Sequence, residues 1–212
     1  MEQLLYSKLE NLTKLKDEFI NSSKRLIEAG NKNIYSLDLF AGAVNNRAIS
    51  LLQGFVSLAK ENNYLSAIPL IRIQLDNGLR FFASTLVTDS DEFFSHFLNG
   101  KAIKDFHDTK GNKLSDNYLV SSLEKHFTGV RKLYKDTSGY IHLSDNHLFA
   151  TTNISKEKKD RMIEIRIGNY DVYSLESKID FTQTMIEVCK LVLIIVEQWK
   201  YEKENISRRP SP

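Results

Sequence analysis

Residues able to do chemistry gather in two places. Arg131, Lys135, Ser138 and His142 follow one another at spacings of four, three and four. If the chain is helical there, they share one face. The cations suit a phosphate, the hydroxyl can orient a substrate, and an imidazole is a general acid–base candidate. The second place is Arg72, Asp76 and Arg80, spaced four and four on an otherwise apolar stretch, where both arginines can pair with Asp76. Such a triplet is either a buried ion-pair network or the wall of a cleft between helices, and residue types alone leave both open. If both stripes face one groove, Arg72 joins His142, Lys135 and Arg131 there. Otherwise the triplet is structural and His142 hydrogen-bonds at a helix end.

The elements that must position these residues are mostly helices. Leu5, Leu9, Leu12, Phe19 and Leu26 form a helical stripe, with Gly30 placed to stop it. A second stripe, with Ser36 as its expected N-cap, runs from Phe40 to Leu58 and ends at Glu61-Asn62-Asn63. A third, with Pro69 expected in its first turn, carries Ile71, Leu75, Leu79, Phe82 and Leu86. Asp91–Leu98 reads as a short helix, 101–114 as a mobile lysine-rich loop, and Ser115–Phe127 as a capped helix ended by Gly129. Val130, Tyr134, Thr137 and Ile141 continue at helical spacing. Ile163, Ile165 and Ile167 then alternate with charged residues, which is strand spacing, and Phe149–Ile154 is the expected partner across Ser155–Arg161. From Ser174 to about Ile206, Phe181, Met185, Val188, Val192, Ile195 and Trp199 step by four and three, beside a second stripe of Ile186, Cys189, Leu193 and Val196. So broad an apolar face implies neighbours on two sides. At about 1.5 Å per residue this helix is ~50 Å long, so its end from Tyr201 is expected to project or meet a partner.

The composition agrees. Of 212 residues only three are proline, two of them within the last three, and nine are glycine. All-β sandwiches and barrels, which need frequent turns, are thereby excluded. The expectation is a mainly all-α fold: a bundle of about five to seven helices over residues 1–206, a hairpin at about 149–168, a long C-terminal helix, and a disordered tail at 207–212. One cysteine excludes intrachain disulfides and multi-cysteine metal sites, and Cys189 lies in an apolar stripe, as a core residue would. The opening residues lack a signal-peptide core, and the longest apolar run, Leu191–Val196, is too short for a membrane span, so a cytoplasmic location is expected. The net charge is +2, yet residues 101–135 hold seven Lys and one Arg against Asp105, Asp108, Asp116 and Glu124, a net +4. Either a solvated loop or a phosphate-binding patch would account for that asymmetry.

His107-Asp108 matches the dipeptide of helical metal-dependent phosphohydrolases, but it sits on no helical stripe, and no metal or cofactor is expected. The segments LYKDTSGYIHLS (Leu133–Ser144) and IRIQLDNGLRFF (Ile71–Phe82) resemble a group of bacterial helical proteins with an SGYIHLS-type segment, a short hairpin and a long C-terminal helix. More distantly the chain is similar to the HEPN superfamily. That resemblance implies a helical bundle that dimerises, and in many members a metal-independent endoribonuclease, toxin or defence effector. The motif it implies is an Arg, often followed by a polar residue, then four to six residues and a His. Here Lys135-Asp136 and His142 stand in that place, with Lys for Arg, so the charge is kept and the bidentate fork is lost. The resemblance implies His142 as acid–base, Lys135 or Arg131 on the phosphate, and Arg72 assisting. The alternative is a non-catalytic dimerising module that binds a protein or RNA partner.

Overall fold

The computed structural model describes residues 1–145, 147–148, 152–154, 163–165, 167–168 and 171–208. Its main helices are α1 (Glu2–Glu28), α2 (Ser36–Lys60), α3 (Tyr64–Ser84), α4 (Ser90–Leu98), α5 (Asp116–Leu123), α6 (Val130–Ser138) and α7 (Leu175–Ser207). The strands β1 (Thr152–Ile154) and β2 (Ile163–Ile165) pair antiparallel, with Asn153 opposite Glu164. This is the expected all-α bundle with a small strand pair before a long C-terminal helix. The expected hairpin loop, Ser155–Arg161, lies outside the described residues, as does the tail from 209, and Ser207 ends α7 rather than beginning the tail.

Side-chain links set the directions of the four long helices. Asn45 donates to Ser23 across α1 and α2, and Asn77 and Gln74 donate to the carbonyls of Val44 and Ala48 across α2 and α3. Between α2 and α3 the numbers run oppositely, so that pair is antiparallel. Lys8 donates to Gln183 at 2.6 Å and Arg25 pairs with Glu197 at 2.6 Å, while Tyr64 meets Thr182 and Gln74 meets Cys189. These numbers rise together, so α7 lies parallel to both α1 and α3. Two parallel neighbours require a long crossover, and the chain between α3 and α7, bearing α4, α5, α6 and the strand pair, supplies it. Both stripes of α7 are covered: Met185, Val188, Cys189, Val192, Ile195 and Val196 are all buried. Gly78 makes the close α3–α7 approach, since a Cβ there would stand 3.0 Å from Val192 Cγ2.

Several local expectations shift for physical reasons. The N-cap of α2 is Tyr35 rather than Ser36, because the Asp38 carboxylate accepts the Tyr35 N–H at 2.8 Å. Helix α3 begins early because Asn63 caps it through the Ser66 N–H, which leaves Pro69 a turn deeper than expected. Residues 101–114 are an organised turn: Ile103 and Leu114 are buried, and Asp108 accepts from the N–H groups of Lys110 and Asn112 and from the Tyr118 hydroxyl. Helix α6 stops at Ser138, so Ile141 and His142 are not on it.

The end of α7 does not project. Lys203 is fully buried, with its ammonium 2.9 Å from an Asp38 oxygen and donating to the Leu26 carbonyl at 2.7 Å. The indole N–H of Trp199 donates to the other Asp38 oxygen at 2.9 Å. Gly30, at φ +60°, makes room: a Cβ there would lie 2.8 Å from Lys203 Cγ. A buried pair whose remaining groups are hydrogen-bonded offsets its desolvation cost, whereas removing one partner strands a charge. Asp38→Ala should therefore lower the unfolding free energy by about 3–5 kcal/mol. Urea unfolding measures this, and Asp38→Ala combined with Lys203→Met should recover much of the loss.

Candidate functional site

The helix that carries the polar stripe is short and firmly capped. Glu124 at the end of α5 accepts the N–H groups of Gly129 and Arg131 at 3.0 and 2.7 Å, which satisfies the free amides at the start of α6. Gly129, at φ +98°, makes the turn between the two helices. Arg131 reaches back to α5, where its guanidinium donates to the Ser121 hydroxyl at 2.9 Å. Beyond Ser138 the chain winds into a tight turn, with Tyr140 and Ile141 donating to the Thr137 and Ser138 carbonyls and the Ser144 hydroxyl donating to Gly139 at 2.6 Å. The exposed imidazole of His142 sits on this turn, off the helical face that the spacing implied.

Arg72 is elsewhere. It is buried in α3, ion-paired with Asp76, and its guanidinium carbon lies 3.6 Å from the centre of the Tyr134 ring. Arg80 does not share Asp76. It pairs with Asp116 on α5 at 2.6 Å, and Asp116 also accepts the Tyr134 hydroxyl at 3.4 Å. The triplet thus becomes a network that fastens α5 and α6 to α3, with cation–π packing at its centre. Sequence spacing found Arg72 and Asp76 but could not show Tyr134 and Asp116, which come from other helices.

Between α6 and α7 the surface opens into a trough. One cavity of about 670 Å³ is lined by Ile68, Ile71, Lys135, Tyr140, Asp180 and Phe181, among others. A second, of about 440 Å³, is lined by Val130, Lys132, Glu187, Val188 and Leu191, among others. Leu133, Asp136 and Thr184 line both, so the cavities are adjoining parts of one trough. Of the sequence-derived candidates, Lys135 alone lines it; Arg72, Arg131 and His142 do not. Phe181 anchors an aromatic cluster at one end, 6.3 Å from Tyr140 and 5.3 Å from Tyr173. The α7 wall had no signal in the sequence, because Phe181 and Leu191 belong to the same broad apolar face as the buried residues beside them.

The lone thiol is buried. Burial pushes the Cys189 thiol up to about 12, opposed by the Gln74 amide that donates to it at 3.3 Å, so it is no nucleophile at neutral pH. No cluster of metal-ligating side chains occurs among the described residues, and no helix among them is long and apolar enough to cross a membrane. Comparison of the chain with protein-family models, curated proteins and solved structures returns no match in any of the three.

Asp108, of the phosphohydrolase-like dipeptide, is a loop brace. Burial favours its neutral form, but the Tyr118 hydroxyl, the Asn112 side chain and the two backbone donors outweigh that and hold the carboxyl well below the ordinary range. A depressed folded-state pKa contributes stability that is present above the unfolded value of about 4 and lost as pH falls below it. Asp108→Asn should remove that part of the acid sensitivity. Urea midpoints at neutral and acidic pH should therefore differ less for the variant than for the parent.

Proposed function

We propose that this protein is a non-catalytic helical module that binds a partner macromolecule, and that it acts as a dimer. The observation that carries the reading is the trough between α6 and α7, an open concave surface with an apolar floor and a charged rim. The separation of the polar candidates supports it, because an acid–base pair needs hydrogen-bond reach and Arg72 is already committed to Asp76 and Tyr134. A second reading is supported by the exposed imidazole of His142 on the turn after α6, beyond the surface-exposed Lys135. It is a HEPN-like, metal-independent endoribonuclease of toxin or defence type, with its site completed by a second protomer.

Incubating the protein and His142→Ala with single-stranded and structured RNA separates the two. The expected outcome is no cleavage by either. Cleavage by the parent that disappears in His142→Ala would replace the module with the nuclease. Dimerisation is supported by Tyr6, Ile20 and Ile27, exposed apolar residues in heptad register on α1, a surface type that self-association covers. Light scattering should give about twice the 24.4 kDa chain mass. A strict monomer would remove this part of the proposal.

A further inference from the structure

The trough has a shape and a charge that select an occupant. Along its α7 wall Phe181, Thr184, Val188 and Leu191 step by three, four and three, a ladder of ~15 Å at about 1.5 Å per residue. The facing wall is α6, and Ile68 and Ile71 of α3 close the floor beneath one end. A trough walled by two helices, with apolar side chains among its charged ones, accepts one face of a third helix.

The rim supplies the sign. Asp136, Asp145, Asp180 and Glu187 border the trough against Lys132 and Lys135, and Lys132 is already paired with Asp136. Among the described lining residues carboxylates therefore outnumber ammonium groups, although the whole chain carries +2. Asp180 and Glu187 are exposed and lie seven residues apart on α7, about two helical turns. The aromatic rings of Tyr140 and Phe181 flank the same end as Asp180, and ring faces beside a carboxylate suit a guanidinium or ammonium group. Phosphate backbones meet the wrong sign on this surface.

We infer that the trough between α6 and α7 docks a basic amphipathic helix of a partner protein, with its apolar stripe on Leu133, Phe181 and Leu191 and its Lys or Arg residues against Asp180 and Glu187. This rests on the partner-binding reading above and names the site and the chemistry of the partner.

The test uses the full chain and a fluorescein-labelled synthetic helix of about 18 residues, with Leu at i, i+3, i+4 and i+7 and Lys or Arg elsewhere. Three controls accompany it: the same peptide with Glu for every basic residue, a scrambled peptide without an apolar face, and a single-stranded RNA. Fluorescence anisotropy should show binding by the basic helix alone, in the range of about 1–10 μM and weakening with salt. Asp180→Lys with Glu187→Lys should weaken it about tenfold or more, and because both positions are exposed this variant should keep the parent's melting temperature. A conservative pair, Asp180→Asn with Glu187→Gln, should fall between.

Equal binding of the Glu or scrambled peptide, no binding of the basic helix, or indifference to the double charge reversal would each overturn the inference. RNA bound in the trough, shown by its loss on Leu191→Asp, would overturn it in favour of a nucleic-acid surface. Self-association abolished by the charge reversal would overturn it in favour of a second copy as the occupant. His142-dependent RNA cleavage would fail the parent reading, whereas peptide results fail only this inference, so the two failures are distinguishable.

Discussion

One buried ion pair locks the C-terminal half of α7 to α2 and to the end of α1. Lys203 brings a full charge to a fully buried position, and Asp38, the Leu26 carbonyl and the Trp199 indole hold both members in place. Charges of this kind tolerate no register error, because a shift of one helical turn would leave both in apolar surroundings without partners. Apolar stripes are more permissive, since a Leu or Val finds acceptable contacts at several positions. The broad face of α7 therefore gives burial, and the Lys203–Asp38 contact gives position. Gly30 belongs to the same device, because a side chain there would occupy the space that Lys203 uses.

Fixing α7 parallel to both α1 and α3 has a consequence for the surface. The long crossover must return the chain to the end of the bundle where α3 began, and α5 and α6 are carried on its outside. They are fastened to α3 by Arg72, Tyr134, Asp116 and Arg80. That network lies on the α3 side of α6 and leaves the α7 side open. The trough is what remains between a helix held from one flank and the long helix it does not fully cover. Arg72 and Arg80 are thus spent on holding α5 and α6, and the trough lies on the other flank of α6.

Much of the fold was legible in the sequence. The 3/4 spacing of apolar residues placed all the long helices, and the change to alternation at Ile163–Ile165 marked the strand pair. Boundaries failed where a side chain outside the periodic pattern did the capping, as with Asp38 in the first turn of α2 and Asn63 before α3. The stretch 101–114 looked mobile because its lysines dominate, while the carboxylate that organises it, Asp108, is a single residue with no periodic signature. The candidate site was read less well. Spacing put His142 on a helix face, but Gly139 and the Ser144–Gly139 hydrogen bond turn the chain before that face is reached.

The sequence by itself determined the secondary structure and its apolar faces, because helix periodicity and the burial of aliphatic side chains are local properties of the chain. It also determined that α7 must be covered on two sides. The tertiary structure decided which charges meet. Asp38 with Lys203, Arg80 with Asp116, and Arg72 beneath Tyr134 each join residues from different helices. An ion pair requires its two atoms within a few ångströms, and no periodicity along the chain encodes which distant residue arrives there. The trough was decided in the same way, since a cavity is a property of the space between elements.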